Sequence, residues 1–170
     1  MKVSSFVSIE VRVDAFSHKQ HLSFRVQGAR YALALDQVRE VIDCGPIRPV
    51  PLMPAFILGI INVRGCMVPV IDLAARFDLS STSRSKRSCV VVAEASFEQQ
   101  PHRVGLLVDA VETVMDVHAD DISPAPAFGS AIRQDFIAGV LSDSPAAVIL
   151  DLQGLVALEE LQSPLRVTAL

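Results

Sequence analysis

The sequence predicts a mainly β protein built from two small barrel-like lobes packed against each other. Many short apolar segments alternate with period two, short turns rich in glycine or proline separate them, and few segments have helical spacing. Short strands joined by hairpins are typical of closed or nearly closed antiparallel sheets. Because strand patterns lie on both sides of a polar, serine-rich loop at residues 78–88, we expect two lobes.

The first predicted element is a β-hairpin at residues 21–35, where two alternating segments flank a short turn that contains glycine. Residues 36–42 (DQVREVI) are predicted to form a short helix, since Asp36 can cap it and three aliphatic side chains fall on one helical face. Four prolines exclude a helix interior from residues 44–54.

Residues 55–73 are predicted to form two apolar strands that meet at Arg64–Gly65, because glycine tolerates the positive φ of a tight hairpin. A short helix is expected to begin at Asp72 and to extend over residues 72–77. The loop at 78–88 that follows is polar and should be exposed.

The second half of the chain repeats this pattern. Strands are expected at residues 89–95 and, as one long strand or two bent ones, at residues 103–117, with a turn between them. Residues 135–152 predict a further hairpin. Leucines near helical spacing predict a final helix over residues 151–161, with Asp151 near its start.

Composition and charge restrict the possible functions. The chain has 170 residues, 51% of them hydrophobic, and a formal net charge of −4. No apolar run approaches the roughly 18–20 residues that cross a bilayer, and charges interrupt the N-terminal segment where a secretory signal would be apolar. These features favour a cytoplasmic protein, and the acidic balance disfavours nucleic-acid binding.

Residue patterns typical of enzymes and metal sites are absent from the sequence. It lacks the GxSxG, HExxH and GxxxxGK[ST] motifs, and its three cysteines form no CxxC pair. The four histidines match no metal-ligand spacing, and each is expected to be solvated. We therefore predict no catalytic residues, no metal and no cofactor.

Arg64 interrupts one of the most hydrophobic stretches of the chain. The strand before it is apolar at both parities, which indicates that both of its faces are covered. An arginine combines a long apolar stem with a forked donor and so suits a protein interface. From the residues alone, an ordinary exposed hairpin tip and a partner contact are about equally favoured.

Residues 50–73 (VPLMPAFILGIINVRGCMVPVIDL) closely resemble the signature of the CheW family, the adaptors of bacterial chemosensory arrays. Other blocks agree in the same order: FRVQGARYALALDQVREVI (24–42), VGLLVDAVETVMDV (104–117), ISPAP (122–126), FIAGV (136–140) and AVILDLQGLV (147–156). The resemblance implies a CheW-like domain over residues 22–161, between an N-terminal extension at 1–21 and a C-terminal tail at 162–170.

This resemblance implies two SH3-like, five-stranded β-barrel subdomains that are interleaved in the chain, and a role without catalysis. Family members bridge the cytoplasmic tip of a methyl-accepting chemoreceptor to a CheA-type histidine kinase, so the protein would be cytoplasmic, recruited to membrane-associated receptor arrays, and not inserted in the membrane. The receptor tip is expected to dock in a groove between the subdomains.

The resemblance also implies roles for individual residues. Arg64 matches the family arginine of the NxRG turn, which is implicated in receptor contact, and Val38 and Glu40 match positions on the same side of the groove. Gly59, Asn62 and Gly65 match the motif and are expected to shape the turn. No short motif marks the kinase-binding residues, and the resemblance does not distinguish swimming chemotaxis from pilus motility or surface growth.

The alternative is a ligand-binding or thiol-dependent β-barrel enzyme. A reactive cysteine needs an electropositive and partly open setting, which Arg64 could give to Cys66. Strand alternation, however, places Cys66 at the start of a buried strand, which favours an inert thiol.

Overall fold

The computed structural model describes residues 18–80, 84–126, 132–142 and 146–156. Within them, eleven strands form two sheets: β1 (His18–Val26), β2 (Ala29–Ala34), β3 (Val38–Asp43), β4 (Ile57–Val63), β5 (Cys66–Asp72), β6 (Cys89–Phe97), β7 (Gln100–Val108), β8 (Ala110–His118), β9 (Ile122–Ser123), β10 (Ile137–Leu141) and β11 (Ala147–Leu150). Two short helices are α1 (Leu73–Arg76) and α2 (Leu152–Leu155), and 3-10 turns lie at Leu35–Gln37, Ala119–Asp121 and Gln134–Phe136.

The two sheets define two subdomains that are interleaved in the chain. The first subdomain has the strand order β8-β1-β2-β11-β10-β9, and the second has the order β3-β6-β7-β5-β4. The chain starts in the first sheet, completes the second, and returns to the first at Asp109, whose N–H donates to the Arg25 carbonyl at 2.9 Å. The first sheet therefore has one strand more than the five expected, because the two-residue strand β9 extends it.

Three hydrophobic clusters hold this arrangement together. A central cluster lies between the subdomains and takes alternate residues from both, among them Phe24, Leu33, Val91 and Leu106. The intervening residues of the same strands form a smaller cluster inside each subdomain. Strands β2 and β6 and the second half of β7 are consequently buried on both faces, which explains why their sequences are largely apolar.

The helix predicted for residues 36–42 is wrong. Only Leu35–Gln37 makes a 3-10 turn, and Val38–Asp43 is the edge strand β3, paired with β6. Exposure alternates along β3 from residue to residue. The aliphatic side chains in this segment are β-branched, which disfavours a helix, and pairing with β6 satisfies the strand's backbone groups.

The predicted hairpins are confirmed where the structure describes them. Central residues with positive φ occur at Gln27–Gly28, at Arg64–Gly65 and at Glu98–Gln99, as the two-residue turns that match strand twist require. Residues 103–117 form two strands rather than one, and β7 and β8 belong to different sheets.

The two predicted helix starts are also confirmed. Asp72 Oδ1 accepts from the Ala74 N–H at 3.1 Å and so caps α1, and Asp151 Oδ1 accepts from the Gln153 N–H at 3.0 Å and caps α2. Helix α2 extends to Leu155, and the remainder of the helix predicted for 151–161 lies beyond residue 156, outside the described residues.

Other expectations fall partly outside the described residues. These are the N-terminal extension up to residue 17, the centre of the loop at 81–83 and part of the SDSP turn at 143–145. Of the described loop residues, Asp78, Ser80 and residues 84–87 are exposed, Leu79 is half-buried and Ser88 is buried.

One histidine is not solvated as expected. His21 lies in β1 with 4% of its surface exposed, and its Nδ1 is 3.1 Å from the Lys19 carbonyl oxygen. Burial lowers the pKa of His21, because the charged imidazolium loses hydration there.

Candidate functional site

The tip of the β4–β5 hairpin carries an exposed ion pair. Arg64 occupies the turn, and its side chain is 80% exposed. Its Nε lies 3.2 Å from Glu40 Oε2, and the Glu40 side chain is 23% exposed. The structure therefore brings together two of the three residues for which the resemblance implies receptor contact.

The contact between Glu40 and Arg64 also shows that the second sheet is closed into a barrel. Glu40 lies on β3 and Arg64 follows β4, and these are the two edge strands of this five-stranded sheet. In a flat sheet the edges would be roughly 19 Å apart, given a spacing of about 4.8 Å between neighbouring strands. The sheet must therefore curl until its edges meet, and the ion pair lies where they meet.

Val38, the third residue for which the resemblance implies receptor contact, points toward the central cluster and away from Arg64. It is paired with Ala93 and packs against the central cluster, whereas Glu40 is paired with Val92, a member of the cluster inside the second subdomain. A β-bulge at Arg39 causes this change of face, because one extra residue shifts the alternation of side chains. Val38 supports the strand from the core side, and Glu40 reaches the hairpin.

Two of the three motif residues are found in the turn itself. Asn62 Oδ1 accepts a hydrogen bond from the Gly65 N–H at 2.9 Å, and Gly65 has a φ of +84°. Arg64 has a φ of 51°. This conformation is uncommon for a residue with a side chain, but Gln27, Glu98 and Gln99 share it in the other hairpins.

Gly59 lies away from the turn, at a bulge between β4 and β5. Its φ is +148°, and a Cβ at this position would lie 2.1 Å from the Arg48 carbonyl oxygen. Arg48 and Ile60 exchange two backbone hydrogen bonds of 3.0 and 2.9 Å. The absence of a side chain at Gly59 thus lets the proline-rich segment lie directly against β4.

Beside the hairpin there is a shallow groove of about 460 Å³, lined by Pro46, Ile47, Arg48, Ile60, Asn62 and Met67. Met67 is 55% exposed. The sequence alone does not reveal this groove, because only folding brings the proline-rich segment next to β4 and β5.

A larger cleft of about 670 Å³ lies between the two subdomains. Its lining includes Lys19 and Asp36, which form an ion pair, and Arg39 and Glu94, which form another through two hydrogen bonds of 3.0 and 2.7 Å. The hydrogen bond from Arg39 lowers the pKa of Glu94. Glu40 and Arg64 do not line this cleft, so they lie at the barrel rim and not in the cleft between the subdomains.

Cys66 is exposed, which corrects the expectation that it begins a buried strand. Burial in β5 starts at Val68, because the first two residues of the strand belong to the protruding hairpin tip. Across the described residues, no three potential metal ligands of the His, Cys, Asp and Glu types come together. No helix in the described part of the chain has the length and apolar character needed to cross a membrane.

Two barrels that share a core, with a charged hairpin and shallow grooves at the surface, define a domain of the protein-binding class. The CheW-like domain profile matches residues 20–160. The chain therefore belongs to the CheW-like domain family.

Relatives and a solved structure agree with this assignment. The chain is 34% identical over 124 residues to the chemotaxis protein CheW of Rhizobium meliloti (strain 1021), covering 73% of this chain and 77% of the relative. It is 32% identical over 138 residues to the probable chemotaxis protein CheW of Rhizobium etli, covering 81% and 86%. The crystal structure of scaffolding protein TtCheW from Thermoanaerobacter tengcongensis superposes with a TM-score of 0.74 at 31% identity, covering 84% of this chain and 90% of that one.

The two subdomains are SH3-like barrels, as they are in the CheW structure. The protein is a chemotaxis adaptor or scaffold and is not an enzyme, in common with its family. The alternative of a thiol-dependent enzyme is wrong, although Cys66 is exposed.

Proposed function

We propose that this protein couples the cytoplasmic tips of methyl-accepting chemoreceptors to a CheA-type histidine kinase, within arrays at the cytoplasmic side of the membrane. The observation that carries the receptor half of this proposal is the Glu40–Arg64 pair. Arg64 lies at the hairpin tip, within the segment that resembles the family signature, Glu40 lies in a second matching block, and the arginine is largely exposed.

The geometry of the pair suits recognition of a helical tip. The contact with Glu40 uses Nε of Arg64. Among the contacts described within this chain, the terminal nitrogens of that guanidinium have no partner, so they can donate to a carboxylate or carbonyl on a receptor helix. Glu40 holds the stem in one orientation and thereby reduces the entropy lost on binding.

Val38 acts indirectly in this proposal. Its side chain packs on the central cluster and fixes the start of β3, from which Glu40 extends. The exposed apolar groove beside Met67 adds a surface next to the hairpin that a helix face could cover. The contact would therefore combine one polar anchor with a small apolar area.

The test is a quantitative pull-down of a receptor cytoplasmic fragment with the Arg64→Glu variant. We expect receptor affinity to fall at least about tenfold, which corresponds to roughly 1.4 kcal/mol, while the melting curve stays nearly unchanged. Arg87→Glu is the matched control, because it makes the same change in net charge on an exposed loop. Unaltered receptor binding by folded Arg64→Glu protein would remove Arg64 from the interface.

A charge-swapped double variant, Glu40→Arg with Arg64→Glu, separates direct contact from support of the hairpin. It rebuilds the ion pair with reversed polarity. If Arg64 itself contacts the receptor, the double variant stays weak; recovery of binding would show that the pair only stabilises the hairpin.

The kinase half is tested with the same proteins against the CheA regulatory domain. We expect Arg64→Glu to retain kinase binding, because the receptor and the kinase use different surfaces in this proposal. Parallel loss of both partners from a folded variant would contradict that separation. Receptor fragments from each chemosensory system of the organism would identify the pathway.

A further inference from the structure

A buried arginine lies at the junction of the two subdomains. Arg76 is the last residue of α1, and only 6% of its surface is exposed. Burial of a guanidinium is costly unless its charge and N–H groups are compensated. Compensation on this scale requires a specific set of neighbours, and the neighbours of Arg76 come from both subdomains.

Among the contacts that the structure describes for this guanidinium are two aromatic rings and one carbonyl. Its central carbon lies 4.4 Å from the centre of the Phe56 ring and 4.8 Å from that of Phe136. Nε donates to the Leu155 carbonyl oxygen at 3.0 Å. These are cation–π and hydrogen-bonding contacts in a site from which water is largely excluded, where both are strong.

The three contacts connect separate parts of the fold. Phe56 immediately precedes β4, and α1 immediately follows β5, so both lie in the second subdomain. Phe136 precedes β10, and Leu155 ends the helix that follows β11, so both belong to the first subdomain. A single side chain from the second subdomain is therefore held by groups of the first.

The groups of the first subdomain that contact the guanidinium are closely packed. The Asp151 N–H donates to the Phe136 carbonyl oxygen at 2.8 Å, and Gly154 lies so close to Asp135 that a Cβ would be 1.8 Å from the Asp135 carbonyl oxygen. The ring of Phe77 packs 5.9 Å from that of Phe136. Phe136 and α2 are thus packed together into one surface, which the guanidinium contacts.

Phe56, on the second-subdomain side of the contact, lies at the base of the hairpin that carries the proposed receptor site. The Phe56 carbonyl accepts from the Asp72 N–H at 2.8 Å, which closes the base of the β4–β5 hairpin. Arg64 is at the opposite end of that hairpin. The orientation of the hairpin relative to the first subdomain therefore depends on how its base is held.

We propose that Arg76 fixes the relative orientation of the two subdomains, so that the adaptor moves as one rigid body when a partner displaces the β4–β5 hairpin. A planar guanidinium in contact with two rings and held by a directional hydrogen bond resists both sliding and rotation, whereas purely apolar contacts are non-directional. The rigidity itself does not depend on the proposed receptor contact and can be tested without any partner.

The test uses residual dipolar couplings of backbone amides in the full-length protein. In the unaltered protein, one alignment tensor is expected to fit the couplings of both sheets. In Arg76→Met, which keeps a long apolar stem, we expect each sheet to fit its own tensor while the common fit is lost. Arg30→Met is the control, because Arg30 pairs with Glu112 inside the first sheet, and it should keep one tensor.

The outcome that overturns the proposal is a single tensor for both sheets in folded Arg76→Met. If that variant does not fold, Phe56→Leu decides the matter, since it removes one ring and leaves the arginine and its hydrogen bond in place. Two tensors in Phe56→Leu would support an orienting role for the stacked guanidinium, and one tensor would refute it. Receptor binding by Arg64→Glu is measured separately, so failure of either proposal leaves the other testable.

Discussion

An arginine at the junction of the two subdomains and an arginine at the tip of the β4–β5 hairpin have opposite environments. Arg76 is buried, lies against two aromatic rings and is hydrogen-bonded to a carbonyl, whereas Arg64 is exposed and held by one partly exposed carboxylate. Removal of the first should change the protein's shape, and removal of the second should change what it binds. Burial and the number of partners, more than residue identity, separate a structural arginine from a binding one.

The largest effect on the free energy of unfolding is expected from a substitution in the central cluster. Phe136 is fully buried and contacts both Phe77 and Arg76, so Phe136→Ala should lower the free energy of unfolding by about 3–5 kcal/mol. Urea denaturation followed by circular dichroism measures this change.

The fluorescence of the single tyrosine, Tyr31, supplies a second probe, located in the same cluster. If the subdomains share one cooperative core, the two probes report coincident transitions. Val114→Ala, at an exposed position, is the control and should change stability by less than about 0.5 kcal/mol. A loss of similar size in the control would argue against a special role for the shared core.

An intermediate effect on stability is expected within the hairpin, where the backbone conformation at Gly59 matters more than a side chain. Gly59→Ala should destabilise the protein by about 1–3 kcal/mol or more, because a positive φ is strained for alanine and its Cβ would collide with the Arg48 carbonyl.

Gly45→Ala is the matched control, since a Cβ at Gly45 meets no atom within 4 Å. The two variants are compared by thermal and urea unfolding. Equal stability of both would mean that β4 and the proline-rich segment can separate at little cost, which would contradict the close packing seen at Gly59.

The smallest effect on stability is expected at the hairpin tip. A double-mutant cycle with Glu40→Gln and Arg64→Gln should give a coupling free energy below about 1 kcal/mol, because exposed ion pairs are screened by water and salt. A coupling well above this value would place the pair among the structural contacts and would blur the distinction between Arg64 and Arg76.

Much of the secondary structure could be predicted from local pattern. The hairpins at residues 21–35 and 55–73 follow from alternation and from turns that accept positive φ, and the two helix starts follow from Asp72 and Asp151 as caps. The segment at 36–42 was mispredicted because its aliphatic spacing fits a helix as well as a strand. The segment forms a strand because it pairs with β6 at the edge of the second sheet, and no local pattern reveals that pairing.

The candidate site could be predicted only in part. The Arg64 turn was recognisable from the matched segment, but its distance from Glu40 was not, since the two residues are 24 positions apart and meet only when the sheet closes. The exposure of Cys66 and the change of face at Arg39 depend on how far a hairpin protrudes and on a bulge. Neither the extent of the hairpin nor the bulge can be predicted from a residue pattern in the sequence.

The amino acids alone suffice to indicate many short strands and two lobes, because alternation, turns and caps are properties of neighbouring residues. The adaptor family is indicated separately, by the resemblance of residues 50–73 to the family signature. Only long-range packing establishes which strands share a sheet, why Glu40 reaches Arg64, and why Arg76 can be buried. These features depend on groups far apart in the chain, whose contacts become favourable only after the two sheets have excluded water between them.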